Sequence, residues 1–236
     1  MRGMGRLWQA AATVQSVLTP GLMSSAAEAG LRSLFIGFET LQLESLRTQH
    51  KGHNLGADYG AAIRLLHDLG IMVNASFIFG LDDDDPDVFE CTVQWAVEQG
   101  VETATFHILT PYPGTKLHRS MVTQGRITTE NWDLYDTRHA VFRPARMTPE
   151  QLETGYRRAY RDFYRWGEIV RGAWAKDDWR GRAKHLCYAA AWKKCETFWK
   201  LLIRGKRVAA AIPLLEGLLS TGQRRAPGAA LAPSTQ

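Results

Sequence analysis

Cysteine is scarce in this chain of 236 residues, which holds only Cys91, Cys187 and Cys195. Because the number is odd and the spacing is wide, we exclude a disulfide framework and expect reduced thiols, buried or neutral and without a ligand role. Long apolar runs are also missing: no stretch approaches the roughly 18 to 20 uncharged apolar residues that span a bilayer, and the first ten residues lack the features of a signal peptide. We therefore expect a cytoplasmic protein, in which any membrane contact is peripheral and on the inner face.

Two kinds of ligand loop are absent as well. The sequence has no G-x-G-x-x-G or Walker motif, which disfavours an enzyme that acts on phosphorylated substrates. The four aspartates at 82–85 do not fit a calcium loop, because counting from the first of them puts Pro86 at the fifth position and Val93 at the twelfth. We expect a solvated turn in which Asp84 or Asp85 caps the following helix, rather than a metal site.

Charge divides the chain into two parts. Residues 1–137 carry 9 Lys and Arg against 16 Asp and Glu, whereas residues 138–236 carry 20 against 8. This asymmetry predicts an acidic domain over 1–137 and a basic helical domain over 138–219. The remaining segment, 220–236, is rich in small residues, Pro and Gly, and we expect it to be disordered.

The hydrophobic period of the acidic part alternates between that of strands and that of helices. The predicted strands are AATVQSVL (Ala11 to Leu18), SLFIGFE (Ser33 to Glu39), IMVNASFIF (Ile71 to Phe79) and VETATFHI (Val101 to Ile108). The predicted helices between them are GLMSSAAEAG, DYGAAIRLLHDLG with Asp58 as its N-cap, and PDVFECTVQWAVEQG. This order predicts an α/β fold, a partial (β/α) barrel with parallel strands, followed by a helical C-terminal domain.

Ligands of such sheets bind at the carboxyl ends of the strands. Three segments of this chain meet there: Glu39, Gly80 with the aspartates, and TPYPGT at 110–115. The sequence therefore places a candidate site at this rim.

Three stretches, SLFIGFET, NASFIFGLDDDD and HILTPYPGTKLH, resemble the later barrel strands of radical S-adenosylmethionine (radical SAM) enzymes. The resemblance is to the subgroup that carries a cobalamin-binding domain ahead of the barrel. It implies cleavage of S-adenosylmethionine to a 5'-deoxyadenosyl radical at a [4Fe-4S] cluster, and methyl transfer to carbon if cobalamin is used. The substrate would be a small or lipid-like molecule.

The resemblance also implies which residues contact S-adenosylmethionine. Glu39 matches the polar residue that faces the ribose or methionine part of the cofactor. Ser76, Ile78 and Gly80 match the strand that shapes the adenine pocket, with Ser76 where the family has Gly and Asp84 where it has Glu. The family's loop beside the adenine corresponds to Pro111, Tyr112, Pro113, Gly114 and Thr115.

The chain departs from the family by lacking the Cys-x3-Cys-x2-Cys loop that holds the cluster. We assign no residue here to the cluster. The expected explanation is that the chain is the C-terminal portion of a longer enzyme, inactive alone, which works with a separate N-terminal half. Its sheet would then expose an apolar edge near 11–18.

Histidines supply further candidates. His50 and His53 are three apart in a polar loop, a spacing that suits a metal only with a third ligand, so a solvated or substrate-side loop is the better interpretation. His107 on a strand and His118 after the Pro-Gly turn either face substrate or form ordinary hydrogen bonds.

The basic part contains two amphipathic helices. The first begins with Thr148 as N-cap and Pro149 and has an apolar face of Leu152, Tyr156, Ala159, Phe163 and Trp166. The second has Tyr188, Trp192, Cys195, Trp199 and Leu202 at helical spacing, with Lys193, Lys200 and Arg204 opposite. Docking on the barrel and contact with anionic lipid are both open interpretations of the second helix, whereas no motif favours nucleic acid. The alternative function is a non-enzymatic barrel remnant that binds a partner protein or a membrane surface through these helices.

Overall fold

The computed structural model describes residues 6–41 and 58–194, and the side chains of that range except those of residues 192–194. Four strands form one sheet: β1 (Trp8–Ala12), β2 (Leu31–Glu39), β3 (Met72–Phe79) and β4 (Thr103–Ile108). They are parallel and lie in the order β1-β2-β3-β4. The predicted parallel α/β architecture with a helical C-terminal region is confirmed.

Eight α-helices are described. They are α1 (Val14–Val17), α2 (Leu22–Glu28), α3 (Tyr59–Asp68), α4 (Val88–Glu98), α5 (Lys116–Thr123), α6 (Pro149–Phe163), α7 (Trp166–Trp174) and α8 (Trp179–Lys194), with a 3-10 turn at Trp132–Leu134. The predicted caps are confirmed: Asp58 accepts from the Ala61 amide at 2.8 Å, and Thr148 and Gln151 form a capping box. None of the described helices is both long and apolar enough to cross a bilayer.

Two boundaries differ from the sequence prediction. The strand predicted at 11–18 ends at Ala12, because Thr13 caps helix α1 by accepting from the Ser16 amide, and Val14 and Val17 are buried at helical spacing. Helix α6 ends at Phe163, so Trp166 starts a separate helix and is exposed instead of continuing the apolar face. The part of the second basic helix after residue 194, with Cys195, Trp199 and Leu202, lies outside the described residues.

The core lies between one face of the sheet and the helices packed on it, chiefly α1, α3, α4 and α6. Phe77 stacks on Phe38 and Phe106 at centroid distances of 5.8 and 5.9 Å, and all three side chains are buried. Trp95 of α4 packs edge-on against Phe77, and Tyr160 of α6 packs edge-on against Phe106. Because α6 contributes to this core, the basic part of the chain packs directly on the acidic part. The domain boundary at 137/138 stays a prediction.

The opposite face of the sheet is more polar. Ser76 pairs in register with Gly37 on one side and Thr105 on the other, and Ile78 pairs with His107. Since side chains alternate along a strand, these residues point away from the aromatic core. In a partial barrel this face is the inner one, and its end at Glu39 and His107 is the predicted rim.

The two edges of the sheet differ. On the β4 edge, the Tyr164 hydroxyl donates to the Ala104 carbonyl at 3.0 Å and accepts from the Ala104 amide at 3.1 Å. The Tyr160 hydroxyl makes the same pair of bonds with Phe106. Helix α6 therefore satisfies the outer edge of β4, whereas within the described residues β1 pairs only with β2.

Candidate functional site

The candidate site is the rim formed by the carboxyl ends of β2, β3 and β4. Glu39 is the last residue of β2, Phe79 ends β3 and Ile108 ends β4. The chain at 126–143 runs beside this rim, because the Ile108 amide donates to the Thr137 carbonyl at 2.8 Å and Ile127 bridges Phe142. The predicted convergence of the three strand ends is confirmed by this topology.

Glu39 is held in an unusual conformation. Its backbone has φ +68°, in the left-handed region, and a bulge between Gly37 and Glu39 precedes it in β2. A Cβ atom added at Gly37 would lie 2.8 Å from Glu39 Oε1, so the carboxylate occupies space that only glycine leaves free. The half-buried Glu39 carboxylate is thereby positioned on the inner face of the sheet.

His107 lies on the same face of the sheet, close enough for the charge of Glu39 to affect its pKa. Its Nδ1 is 3.3 Å from the Thr137 hydroxyl. Burial lowers the pKa of His107, the charge of Glu39 raises it, and the charge of Arg138 lowers it, with a net decrease. Thr137, at φ +66°, and Glu39 are the two non-glycine residues with left-handed backbone in the described part of the chain. Such backbone strain costs about 1–3 kcal/mol per residue and clusters at functional sites. Both strained residues, Glu39 and Thr137, interact with His107, so this end of the rim is the candidate site.

Gly80 follows β3 with φ +94°, and its surroundings are protein rather than open space. A Cβ atom there would meet Leu152 Cδ2 at 2.8 Å and Phe142 Cζ at 3.2 Å. The packing of α6 on the strand end is therefore sufficient reason for a glycine at this position. Its predicted contact with adenine stays a prediction, as do those of Ser76, which is buried, and Ile78, which is half-buried.

Asp84 closes the turn after Gly80 and is fully buried. Its Oδ2 accepts from the amides of Gly80 at 2.9 Å and Leu81 at 3.0 Å, while Oδ1 is buried without a hydrogen-bond partner among the described residues. Burial raises the pKa of Asp84 from 3.8 to about 6, with the two backbone bonds opposing and the charges of Asp83 and Asp85 adding to the rise. Its burial could not be predicted from the residues alone, because Asp84 stands in a run of four identical side chains.

The other aspartates are surface groups that tie the turn to the chain after β4. Asp82 pairs with Arg126 at 2.7 Å, Asp83 pairs with Arg146 at 3.7 Å, and Asp85 accepts from the amide of Asp87. The prediction that Asp84 or Asp85 caps α4 is wrong, since that helix begins at Val88 and Asp87 occupies its N-cap without a side-chain bond. In the described ranges, no group of three His, Cys, Asp or Glu side chains is arranged to hold a metal ion.

The loop Pro111–Thr115 begins buried and then becomes exposed. Pro111 is buried, whereas Tyr112, Pro113 and Gly114 lie on the surface with Gly114 at φ +82°. Thr115 is the N-cap of α5: its hydroxyl accepts from the His118 amide at 3.1 Å and donates to the Tyr112 carbonyl at 2.7 Å. The loop is thus a hydrogen-bonded turn at the rim, and its predicted contacts with adenine stay predictions.

The two cysteines that the structure describes are not assembled into a ligand set. Cys91 on α4 and Cys187 on α8 are both exposed, so of the two expected alternatives, buried or neutral thiols, burial does not apply to them. The apolar neighbours of Cys91 face the core on the other side of α4. Cys195, His50 and His53 lie outside the described residues. His118 lies 6.4 Å from Trp132, ring centroid to ring centroid, on the surface of the rim.

Sequence reasoning missed Gly37, Thr137 and Arg138, which complete the surroundings of Glu39 and His107. Gly37 carried a signal, since a glycine inside a strand often marks a close approach. Thr137 and Arg138 carried none, because they reach the rim through an irregular segment.

Comparison with known proteins identifies the lineage. No family model matches the chain. The bacteriochlorophyllide d C-12(1)-methyltransferase of Chlorobaculum tepidum is 31% identical over 174 residues, which are 72% of this chain and 38% of the relative. The hopanoid C-3 methylase of Methylococcus capsulatus is 31% identical over 178 residues, 75% of this chain and 30% of the relative. The anaerobic magnesium-protoporphyrin IX monomethyl ester cyclase of Cereibacter sphaeroides is 27% identical over 169 residues, 72% of this chain and 27% of the relative.

One solved structure supports the fold. The radical S-adenosylmethionine methyltransferase TsrM of Kitasatospora setae, with tryptophan substrate and a SAM analogue bound, superposes with a TM-score of 0.50 at 15% identity, covering 81% of this chain and 46% of that protein. The chain spans less than two fifths of the curated relatives named above. On these homologies, together with the order of strands and rim loops, the chain belongs to the radical SAM family.

Proposed function

We propose that this chain forms the part of a radical SAM barrel that binds S-adenosylmethionine, within a methyltransferase or cyclase. The observation that carries the proposal is the pair of strained residues, Glu39 and Thr137, around His107 at the carboxyl ends of the strands. Holding these residues in the left-handed region costs free energy, and such strain is expected where a ligand must be positioned.

The chemistry of the rim fits this cofactor. S-adenosylmethionine carries a positive sulfonium and an ammonium group, and Glu39 offers a half-buried carboxylate on the inner face of the sheet. Pro113 and Gly114 are exposed beyond the end of β4, where they would lie beside adenine. Bound S-adenosylmethionine would be the source of the transferred methyl group or of the 5'-deoxyadenosyl radical. The residues of this chain would orient it and hold His107 and Arg138 toward the substrate.

The residues present do not fit a [4Fe-4S] cluster. The sequence contains three cysteines in all, none in a Cys-x3-Cys-x2-Cys loop, and the two described ones are on the outer surfaces of different helices. The cluster, and cobalamin if the enzyme uses it, would therefore be held by another segment or chain. The chain expressed alone is proposed to be inactive.

The two sheet edges indicate where that partner would pair. The β4 edge is already satisfied by Tyr160 and Tyr164, so an added strand has no free backbone groups there. The β1 edge has no such cover among the described residues. We expect a cluster-bearing N-terminal half to extend the sheet from β1. A lipid-like or tetrapyrrole substrate is proposed from the names of the relatives, which act on bacteriochlorophyllide and hopanoid.

The test is complementation in cis. The full chain is joined to the N-terminal part of a homologous methyltransferase and reconstituted anaerobically with iron and sulfide. The joined enzyme is expected to produce 5'-deoxyadenosine or S-adenosylhomocysteine, and the chain alone is expected to hold no stoichiometric cluster and to make neither product. A folded, cluster-loaded joined enzyme without activity would contradict the proposal. It would favour the alternative of a non-enzymatic barrel remnant.

A further inference from the structure

A cluster of titratable side chains lies at the end of the sheet opposite the rim. Glu102 precedes β4, His67 is in the last turn of α3, Lys176 lies between α7 and α8, and His185 is on α8. Glu102, Lys176 and His185 are 5%, 7% and 2% exposed, and the side chain of His67 is 18% exposed. We name these four residues the buried charge cluster. It joins α7 and α8 to the sheet, and the proposed function does not use it.

The buried charge cluster holds one negative and one positive charge at neutral pH. The Lys176 ammonium lies 2.5 Å from Glu102 Oε1 and 2.6 Å from His67 Nε2. Because an ammonium group can only donate, His67 Nε2 accepts, and the ring of His67 is neutral in this arrangement. Lys176 already neutralises the Glu102 carboxylate, so a further positive charge in the cluster would be unbalanced.

His185 has no room for the water or the partner that a charged ring needs. Its Nδ1 is buried and has no hydrogen-bond partner among the described residues. On the Nε2 side, a Cβ added at Gly172 of α7 would lie 2.9 Å from that atom. Gly100, just after α4, is equally crowded, because a Cβ there would lie 3.2 Å from Ala175 Cβ and 3.4 Å from Lys176 Cε. An imidazolium would bury an N–H without a partner at Nδ1, so the ring is neutral in this packing.

The charges that face His185 favour the same neutral form. Burial lowers the pKa of His185 from 6.5 to about 4, and the charges of Lys176 and His67 add to the decrease. The charge of Glu102 and a hydrogen bond with the Gly100 backbone oppose the decrease but do not outweigh burial.

The other titratable groups around α8 act on different side chains. Burial lowers the pKa of Lys184, with the charge of Arg32 on β2 adding to the decrease. The negative charge of Asp178 acts on Lys184 and Lys176. Burial raises the pKa of Tyr188, so its hydroxyl is uncharged below pH 10. None of these groups supplies His185 with a second negative charge.

The chain is bent between α6 and α7. Helix α6 ends at Phe163, and Tyr160 and Tyr164 bind it to the edge of β4. Arg165, the N-cap of α7, has extended backbone with φ −67° and ψ 143° and makes no side-chain cap bond. The helical hydrogen bonds are therefore interrupted here, and a movement of α7 and α8 does not require α6 to leave the core.

We propose that protonation of His185 releases helices α7 and α8 from the sheet, so that their attachment is a pH-sensitive switch. In the released form the ring is solvated and takes up a proton near its ordinary pKa of 6.5. A group that binds a proton in the released form and not in the attached form weakens the attachment as the pH falls. The attachment is therefore strongest above pH 6.5 and weakens down to about pH 4. The proposal is independent of the rim and of the proposed function.

The test uses the full 236-residue chain and amide hydrogen exchange between pH 5 and 7.5. Protection factors are corrected at each pH for the exchange of unstructured peptides. Those of the α8 amides should fall by about sevenfold from pH 6 to pH 5, the change that one proton uptake with these two pKa values gives. The amides of β3 should stay more strongly protected at both pH values, because the sheet remains folded.

The variant His185→Gln removes the titration, so its α8 protection should change by less than about twofold from pH 6 to pH 5. His139 gives the matched control, because its side chain is 45% exposed and pairs with Asp136 on the surface. His139→Gln should keep the sevenfold change of the unchanged chain. Nuclear magnetic resonance of the unchanged chain measures the titration of His185 directly and does not depend on the folding of a variant. Its midpoint should lie below about pH 5.

A midpoint for His185 at or above pH 6.5 would overturn the proposal. The same loss of α8 protection in His185→Gln as in the unchanged chain would also overturn it. If β3 lost protection to the level of α8, the whole chain would unfold at low pH, and release of α7 and α8 alone would be wrong.

Discussion

Glu102 and Lys176 form a buried ion pair, with 2.5 Å between Oε1 and Nζ and with both side chains less than 10% exposed. Glu102 precedes β4, at the end of the sheet opposite the rim, and its Oε2 also accepts from the Val73 amide of β3 at 2.9 Å. Lys176 lies between α7 and α8 and approaches His67 Nε2 at 2.6 Å. Although burial raises the pKa of Glu102, the charge of Lys176 and the contacts with His67 outweigh it and hold that pKa well below its usual value. The pair thus ties the C-terminal helices to the sheet.

Lys176→Met should destabilise the chain by about 3–5 kcal/mol, because it removes the lysine cation from the buried Glu102 carboxylate, which keeps only the Val73 amide and His67 as partners. Chemical denaturation measures the change in the free energy of unfolding. The exposed pair of Arg64 with Asp58, at 3.9 Å, is the control, and Arg64→Met should cost less than about 1 kcal/mol. The double variant Glu102→Gln/Lys176→Met should recover part of the loss, and failure to recover any would argue against charge burial as the cause.

Tyr160→Phe and Tyr164→Phe should each lower the free energy of unfolding by about 1–3 kcal/mol, since each removes a hydroxyl that satisfies an amide and a carbonyl on the edge of β4. Hydrogen exchange provides the local measurement: the amide of Ala104 should exchange faster in Tyr164→Phe, and that of Phe106 should exchange faster in Tyr160→Phe. Tyr112→Phe, whose side chain is about half exposed, should change neither amide. Equal protection in all three variants would contradict the assigned role of α6.

The stability of Asp84→Asn relative to the unchanged chain should increase as the pH rises. The pKa of Asp84 is raised to about 6 in the folded chain, so the carboxyl keeps its proton between pH 3.8 and 6 while the unfolded chain loses it, and stability falls across that window. Asparagine has no such titration. The stability of the variant relative to the unchanged chain should therefore grow by about 1–1.5 kcal/mol between pH 5 and 8. Asp82→Asn is the control, because its side chain is 54% exposed and its pair with Arg126 is a surface one. If the stability difference between Asp84→Asn and the unchanged chain does not vary with pH, burial does not raise the pKa of this carboxyl.

Gly37→Ala should displace the Glu39 carboxylate without unfolding the sheet. The added methyl group would meet Glu39 Oε1, the flexible end of a side chain, so the carboxylate moves rather than the backbone. Equilibrium dialysis with the joined enzyme should show about tenfold weaker binding of S-adenosylmethionine, as expected for losing one charge-assisted contact. Gly167→Ala, at a position with open space around it, should bind as before. If Gly37→Ala bound S-adenosylmethionine unchanged, the Glu39 carboxylate would not contribute to binding this cofactor.

The strands and helices followed from the sequence because their signals are local. Period and capping residues predicted β2 to β4, the N-caps Asp58 and Thr148, and the convergence of strand ends at the rim. The burial of Asp84, the left-handed backbone of Glu39 and the cover of the β4 edge by Tyr160 could not be read in the same way. Each of these three features depends on a residue distant in the sequence or on a bulge. The local pattern of residue types contains no information about either.

Glu39→Gln in the joined enzyme tests most directly whether Glu39 positions S-adenosylmethionine at the rim. The variant keeps the shape of the side chain and removes its charge, so formation of 5'-deoxyadenosine per cluster should fall by about 10- to 100-fold. Glu98→Gln, an exposed position at the far end of α4, should retain the full rate. A rate for Glu39→Gln equal to that of Glu98→Gln, at equal cluster content, would contradict the account.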